Sequence, residues 1–138
     1  MVPLPEAYPR MHIGWLNLVP EVLYWGPRLL RDAAGWQGAI AITENGCAAD
    51  DIFTPDGEVY DTDRILFLRS YFRQMQRAIA DGVPISGYFQ WSFLDNFEWS
   101  WGYAKRFGLV FTEYNSQRRI PKDLFRWYQA TVRANRVL

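Results

Sequence analysis

Two short stretches carry side chains whose types and spacing suit chemistry. The first is ITENG, Ile42 to Gly46, in which Glu44 follows an apolar run and precedes a glycine that reads as a turn. A carboxylate where a buried strand opens into a loop stands where barrel enzymes keep their reactive groups. Taken alone, the same glutamate reads equally well as a strand-end ion-pair partner or a loop cap. Asn45 beside it could donate a hydrogen bond, and Gly46 would let backbone come close to a ligand. The second stretch is WSFLDNFEW, Trp91 to Trp99, which joins two tryptophans to Asp95, Asn96 and Glu98. Sugar rings have apolar C–H faces and a rim of hydroxyls, so a site for them needs an aromatic platform with carboxylates and amides beside it. This stretch offers both, although a single tryptophan there would read better as core.

The elements that must position these residues follow from pattern. From Pro20 to Gly35 the sequence opens with proline and glutamate and closes on glycine, as a helix does, with Gly26 and Pro27 expected to break it. GAIAIT, Gly38 to Thr43, is short and apolar on both faces, which suits a parallel strand covered on each side. After a long loop rich in Asp, Gly and Pro, Asp61 reads as an N-cap. Ile65, Leu68, Phe72, Met75 and Ile79 then recur at helical steps until Gly82 and Pro84 stop them. Pro84 to Trp91 is a second strand, and Pro121 starts a last helix with Leu124, Tyr128 and Val132 on one stripe. The fold class is therefore α/β, built of parallel βα units. Two strands close no sheet, and a (β/α)8 TIM barrel needs roughly 250 residues, so such a chain supplies about the last quarter of one. Residues 1–14 read as an irregular N-terminal arm and residues 15–138 as the barrel segment.

Composition narrows the class. Fifteen basic residues balance fifteen acidic ones, so no net field draws the chain to nucleic acid or to an anionic membrane. Aromatic residues reach 17%, with seven tryptophans, more than core filling needs and suited to flat, ring-shaped ligands. Cys47 is the single cysteine, so no intrachain disulfide forms and a cytoplasmic setting is expected. Neither a signal-peptide pattern nor an apolar run near the ~20 residues of a membrane span is present. His12 is the lone histidine and assembles no metal site, and Cys47 reads as packing.

ITENG, GYFQWSFLDNFEW and GYAKRFGLV, in that order, resemble the C-terminal part of glycoside hydrolase family 1, the β-glucosidase and β-galactosidase family. PEVLYWGPRLL, RAIADGVPISGYF and QRRIPKD extend the resemblance over nearly all of the chain from about Trp15. It implies a TIM barrel in which the two strands are the seventh and eighth, and an enzyme that needs no cofactor or metal. By the same resemblance Glu44 is the nucleophile that forms a covalent glycosyl-enzyme, with Asn45 supporting it. Trp91 is the platform under the nonreducing sugar, Glu98 holds two of its hydroxyls, Trp99 bonds it through its indole N–H, and Phe107 is an aromatic wall. The implied partner is a β-linked glucoside or galactoside.

A retaining mechanism needs a second carboxyl as acid and then base, ~5 Å from the nucleophile. The family carries it in a T-x-N-E-P-type motif on the fourth barrel strand, and no such motif occurs here: Glu6 is followed by alanine and Glu21 falls in a predicted helix. Glu113, where the family often has aspartate, is a mild departure, and Tyr103, Lys105 and Arg106 read as loop scaffolding. Two other classes therefore stand beside the enzyme: a sugar-binding piece, and an inert barrel fragment. Apolar strands without neighbours must be covered, so a homo-oligomer or a complementing N-terminal fragment is expected rather than a free monomer.

Overall fold

The computed structural model describes Pro5 and residues 7–138; residues 1–4 and Glu6, the first part of the predicted arm, lie outside the described residues. The later arm folds back on itself, with Met11 N–H donating to the Leu16 carbonyl at 2.9 Å and Leu18 N–H to that of Pro9 at 2.8 Å. This turn presses Ile13, 1% exposed, against Ala48 and Phe107.

Helix α1 spans Val22–Asp32 without a break, although Pro27 lies inside it. Gly26 has no Cβ to collide with the proline ring, so the residue before proline keeps its helical backbone. Pro27 is buried with Leu23 and Tyr24 on one face, and α1 packs on helix α2, Thr62–Ala80. The buried side chains of α2 are Arg64, Phe67, Leu68, Tyr71, Phe72 and Ala78, again one face at three- and four-residue steps. Of the predicted stripe, Leu68 and Phe72 are buried, while Ile79 is 45% exposed. Asp61 stands at the N-cap of α2 but does not cap it. Its carboxylate instead accepts from the backbone N–H of Leu124 at 2.8 Å, in the first turn of helix α3, Asp123–Ala134. Along α3, Leu124 is fully buried, Tyr128 is half-buried and Val132 is exposed, so the stripe turns toward Thr131.

Strands β1, Ile40–Asn45, and β2, Ile85–Gln90, pair in parallel with α2 between them in sequence. Ile42 and Tyr88 lie side by side and pack into the core with Phe72, Leu68 and Cys47. The expectation of two covered faces fails: Ala41, Thr43 and Glu44 are exposed, as is Phe89 at 60%. An apolar pattern on both sides suits a strand inside a closed barrel, whereas two strands backed by helices cover only one face. A hairpin of β3, Val110–Thr112, and β4, Arg119–Pro121, was not legible in sequence. Each strand has three residues, too few for an alternating pattern, and Pro121 ends β4 rather than starting a helix. None of the helices among the described residues is long and apolar enough to cross a membrane.

Candidate active site

The pairing of β1 with β2 is irregular at the end that carries Glu44. Ile42 faces Tyr88 and Asn45 faces Gln90, so Thr43 and Glu44 together oppose the single residue Phe89. That is a β-bulge, which adds one residue and re-aims a side chain. Strict alternation from core-facing Ile42 would turn Glu44 toward the helices. The extra residue places Glu44 with Thr43 and Phe89 on the exposed face, where its carboxylate makes no hydrogen bond or ion pair with any described residue. Asn45 is turned the other way, and its Oδ1 accepts from the Tyr88 hydroxyl at 2.9 Å.

The two strand ends meet backbone to backbone. Trp91 N–H donates to the Asn45 carbonyl at 2.9 Å, and Gln90 Nε2 donates to the Trp91 carbonyl at 2.8 Å. Gly46 therefore permits a close approach, as predicted, but the group that approaches it is the Trp91 carbonyl. Trp91 is 39% exposed beside this junction, and the peptide between it and Ser92 is cis.

The loop after β2 carries the remaining candidates. Glu98 is 8% exposed, yet its carboxylate has no hydrogen bond or ion pair among the described residues. Its backbone holds a short 3-10 turn, Trp99–Trp101, in which Glu98 N–H donates to the Gly102 carbonyl at 2.7 Å. Trp99 is 83% exposed at φ 43°, the left-handed region, and so stands out from the loop. Phe107 is 4% exposed against Ile13 and Ala48, and its carbonyl accepts from Ser92 N–H at 3.1 Å. The structure thus joins Glu44, Asn45 and Trp91 at one strand junction, presents Trp99 to solvent and packs Phe107 inside.

Beneath both loops lies an ion cluster that sequence reading missed. Lys122, fully buried, pairs with Asp95 at 2.8 Å and with Asp51. Arg64, also fully buried, pairs with Asp51 at 3.0 Å and with Asp61, and donates to the carbonyls of Cys47 at 3.2 Å and Arg106 at 3.0 Å. Arg106 closes the set on Asp95 at 2.7 Å and on the Thr112 carbonyl at 2.8 Å. Three carboxylates thus face three cations, Arg64, Arg106 and Lys122. Burial lowers the Lys122 ammonium below its usual value, with the Arg64 charge acting in the same direction. Burial also raises Asp61 above the usual carboxylate value, against the pull of Arg64. Burial works against the charged form of Arg64 too, but Asp51 and Asp61 hold its proton more tightly than usual. Of the predicted scaffolding set, Arg106 belongs here, while Lys105 lies 5.8 Å over the Trp101 ring and 3.6 Å from Asp50. The available signal was the number of aspartates in the loop after β1, but nothing in sequence pairs Asp51 with Lys122 across the chain. Cys47 is buried in the same region, with its thiol pushed up to about 12 by burial, and acts as core.

Among the described residues no group of His, Cys, Asp and Glu is placed to hold a metal ion. The sequence matches the family described as Glycosyl hydrolase family 1 over residues 4–137. It is 47% identical over 127 residues to a 1,4-beta-D-glucan glucohydrolase of Thermotoga neapolitana, covering 92% of this chain and 28% of that protein. It is 44% identical over 134 residues to a bifunctional beta-D-glucosidase/beta-D-fucosidase of Bifidobacterium breve, covering 94% of this chain and 28% of that one. Among solved structures, a family 1 β-glucosidase from Thermotoga maritima in complex with isofagomine lactam superposes with a TM-score of 0.92 at 42% identity. That match covers 98% of this chain and 30% of the other. The chain therefore spans between 22% and 29% of the length of such curated relatives. Its parallel βα units are part of a TIM barrel, and the chain belongs to glycosyl hydrolase family 1.

Proposed function

We propose that this chain carries the nucleophile half of a retaining β-glycosidase that acts on terminal β-D-glucosyl or galactosyl residues. Glu44 attacks the anomeric carbon and forms a covalent glycosyl-enzyme, which water then releases. The observation that carries this reading is the bulge, which turns an otherwise unengaged Glu44 onto the exposed face beside Trp91. Glu98, sheltered yet without a partner among the described residues, is suited to take hydrogen bonds from sugar hydroxyls. Trp91 offers a ring face to the sugar and Trp99 an indole N–H, and Asn45 supports Glu44 through the strand end.

The acid/base carboxyl comes from outside this chain, since no T-x-N-E-P motif occurs in the sequence. Without it the leaving group departs poorly, a loss of order 10²–10⁴-fold for general acid–base catalysis. The test is hydrolysis of p-nitrophenyl β-glucoside by the chain beside its Glu44→Gln variant. Activity that disappears in the variant supports the reading, activity retained in the variant overturns it, and no activity in either makes the chain by itself a catalytically silent fragment.

The open face of β1 and β2 favours a second reading, in which the chain binds sugar or stays inert until it pairs with copies of itself or with an N-terminal fragment. Light scattering at the mass of a single chain, unchanged by concentration, would rule out self-association. A cytoplasmic setting is inferred from the lone cysteine alone.

A further inference from the structure

We propose that Tyr88 is a positioning residue for Glu44, acting through Asn45 from the far side of the sheet. The inference rests on Glu44 as nucleophile and adds a residue on the opposite face from the one that meets substrate.

A bulge re-aims a side chain, and the residues held on either side of the extra one set its direction. On one side, Ile42 is fixed by packing into the core beside Tyr88. On the other side stands Asn45, a polar residue at the strand end whose carbonyl accepts from Trp91 N–H at 2.9 Å. Its side chain is anchored by the Tyr88 hydroxyl, 2.9 Å from Asn45 Oδ1, with the Asn45 carbonyl at 3.3 Å and Gln90 Oε1 at 3.1 Å. The phenol oxygen thus lies between the two residues that re-establish register after the bulge, Asn45 and Gln90, with its one hydrogen on the nearer, Asn45 Oδ1.

The phenol is itself held firmly. The Tyr88 ring meets Phe72 of α2 edge-on, with centroids 4.6 Å apart. Burial raises the Tyr88 hydroxyl well above its usual value, so it stays a donor through the working pH range. A rigid side chain rooted in the helix layer therefore sets where Asn45 sits, and the peptide of Asn45 sets where Glu44 points. Loss of the hydroxyl leaves the ring, the core and the Trp91 N–H bond to the Asn45 carbonyl in place, but removes the hold on the Asn45 side chain beside Glu44.

The test uses the whole chain and 2,4-dinitrophenyl 2-deoxy-2-fluoro-β-glucoside. In the labelling step a Glu44 oxygen forms a bond to the anomeric carbon, and dinitrophenolate leaves with the bonding electrons and needs no proton. Labelling is followed by intact mass and mapped to Glu44 by peptide digestion. Tyr88→Phe is expected to lower the maximal labelling rate about 10-fold, as misplacement of a reacting group does, while the probe concentration for half-maximal rate is unchanged. Asn45→Ala is expected to give the same loss, and the double variant no further loss.

If Tyr88→Phe labels at the parent rate, if the loss appears only in probe binding, or if the two losses add, the proposal is overturned and the nucleophile assignment stands. If Tyr88→Phe fails to fold, Asn45→Ala decides by the same criterion, because it leaves the core untouched. If the parent chain does not label at Glu44, the nucleophile reading falls and takes this proposal with it.

Discussion

The carbonyl oxygen of Trp91 lies 1.8 Å from where a Cβ on Gly46 would stand. The strand end that carries Glu44 and the loop that carries the tryptophans are thus in backbone contact, and glycine is required there for space. Gly46→Ala is expected to push the two ends apart and cost about 1–3 kcal/mol, the usual range for overpacking. Urea unfolding measures it, and a variant within about 0.5 kcal/mol of the parent, the scatter of neutral surface changes, would contradict the contact.

Lys122 joins Asp51, after β1, to Asp95, after β2, with no exposure of its own side chain. Lys122→Met removes the cation and leaves two carboxylates facing each other without it. Breaking a buried pair from one side costs about 3–5 kcal/mol, and that loss should appear in denaturant unfolding. A Met variant as stable as the parent would contradict this assignment.

Asp81 follows α2 and tethers α1, accepting from the Tyr24 hydroxyl at 2.6 Å and from Arg28 at 2.9 Å. The Tyr24 hydrogen bond outweighs burial and, with the Arg28 charge, holds its carboxyl below the usual 3.8. A folded value below the unfolded one means that the stabilisation is present above 3.8 and is lost as pH falls through the folded value. Thermal melting of Asp81→Asn between pH 2 and 6 should therefore lie below the parent at the upper end and converge with it at the lower end. A constant offset across the range would sink this assignment.

Glu44 is exposed and unengaged by described residues, so its replacement carries no folding cost. Glu44→Gln is expected to unfold within about 0.5 kcal/mol of the parent while losing all covalent labelling by the fluoroglycoside. A large drop in stability would mean that the carboxylate supports the fold, the bland reading of a strand-end glutamate.

Much of the architecture was legible in sequence because it rests on local periodicity. Helix α2, both parallel strands and their order follow from apolar spacing and from the glycines and prolines that end each run. Two of the errors share a cause. The uncapped start of α2 and the β3–β4 hairpin each depend on a contact distant in sequence, the N-terminus of α3 on Asp61 and a strand partner for Val110, whereas the unbroken α1 turns on the missing Cβ of Gly26.

The candidate residues were named from sequence through motif and resemblance, and their chemical types alone pointed to sugar chemistry. What sequence could not supply was direction. Alternation predicts that Glu44 shares a face with Ile42, and only the register of β1 against β2, with two residues opposite one, places it on the exposed side. The pairing of Lys122 with Asp51 and Asp95, and the hold of Tyr88 on Asn45, join residues that are 71, 27 and 43 positions apart. Amino-acid types thus determined which chemistry the chain can support. Where each group points was decided by tertiary structure, because bulge geometry and buried ion pairing depend on which segments meet in space.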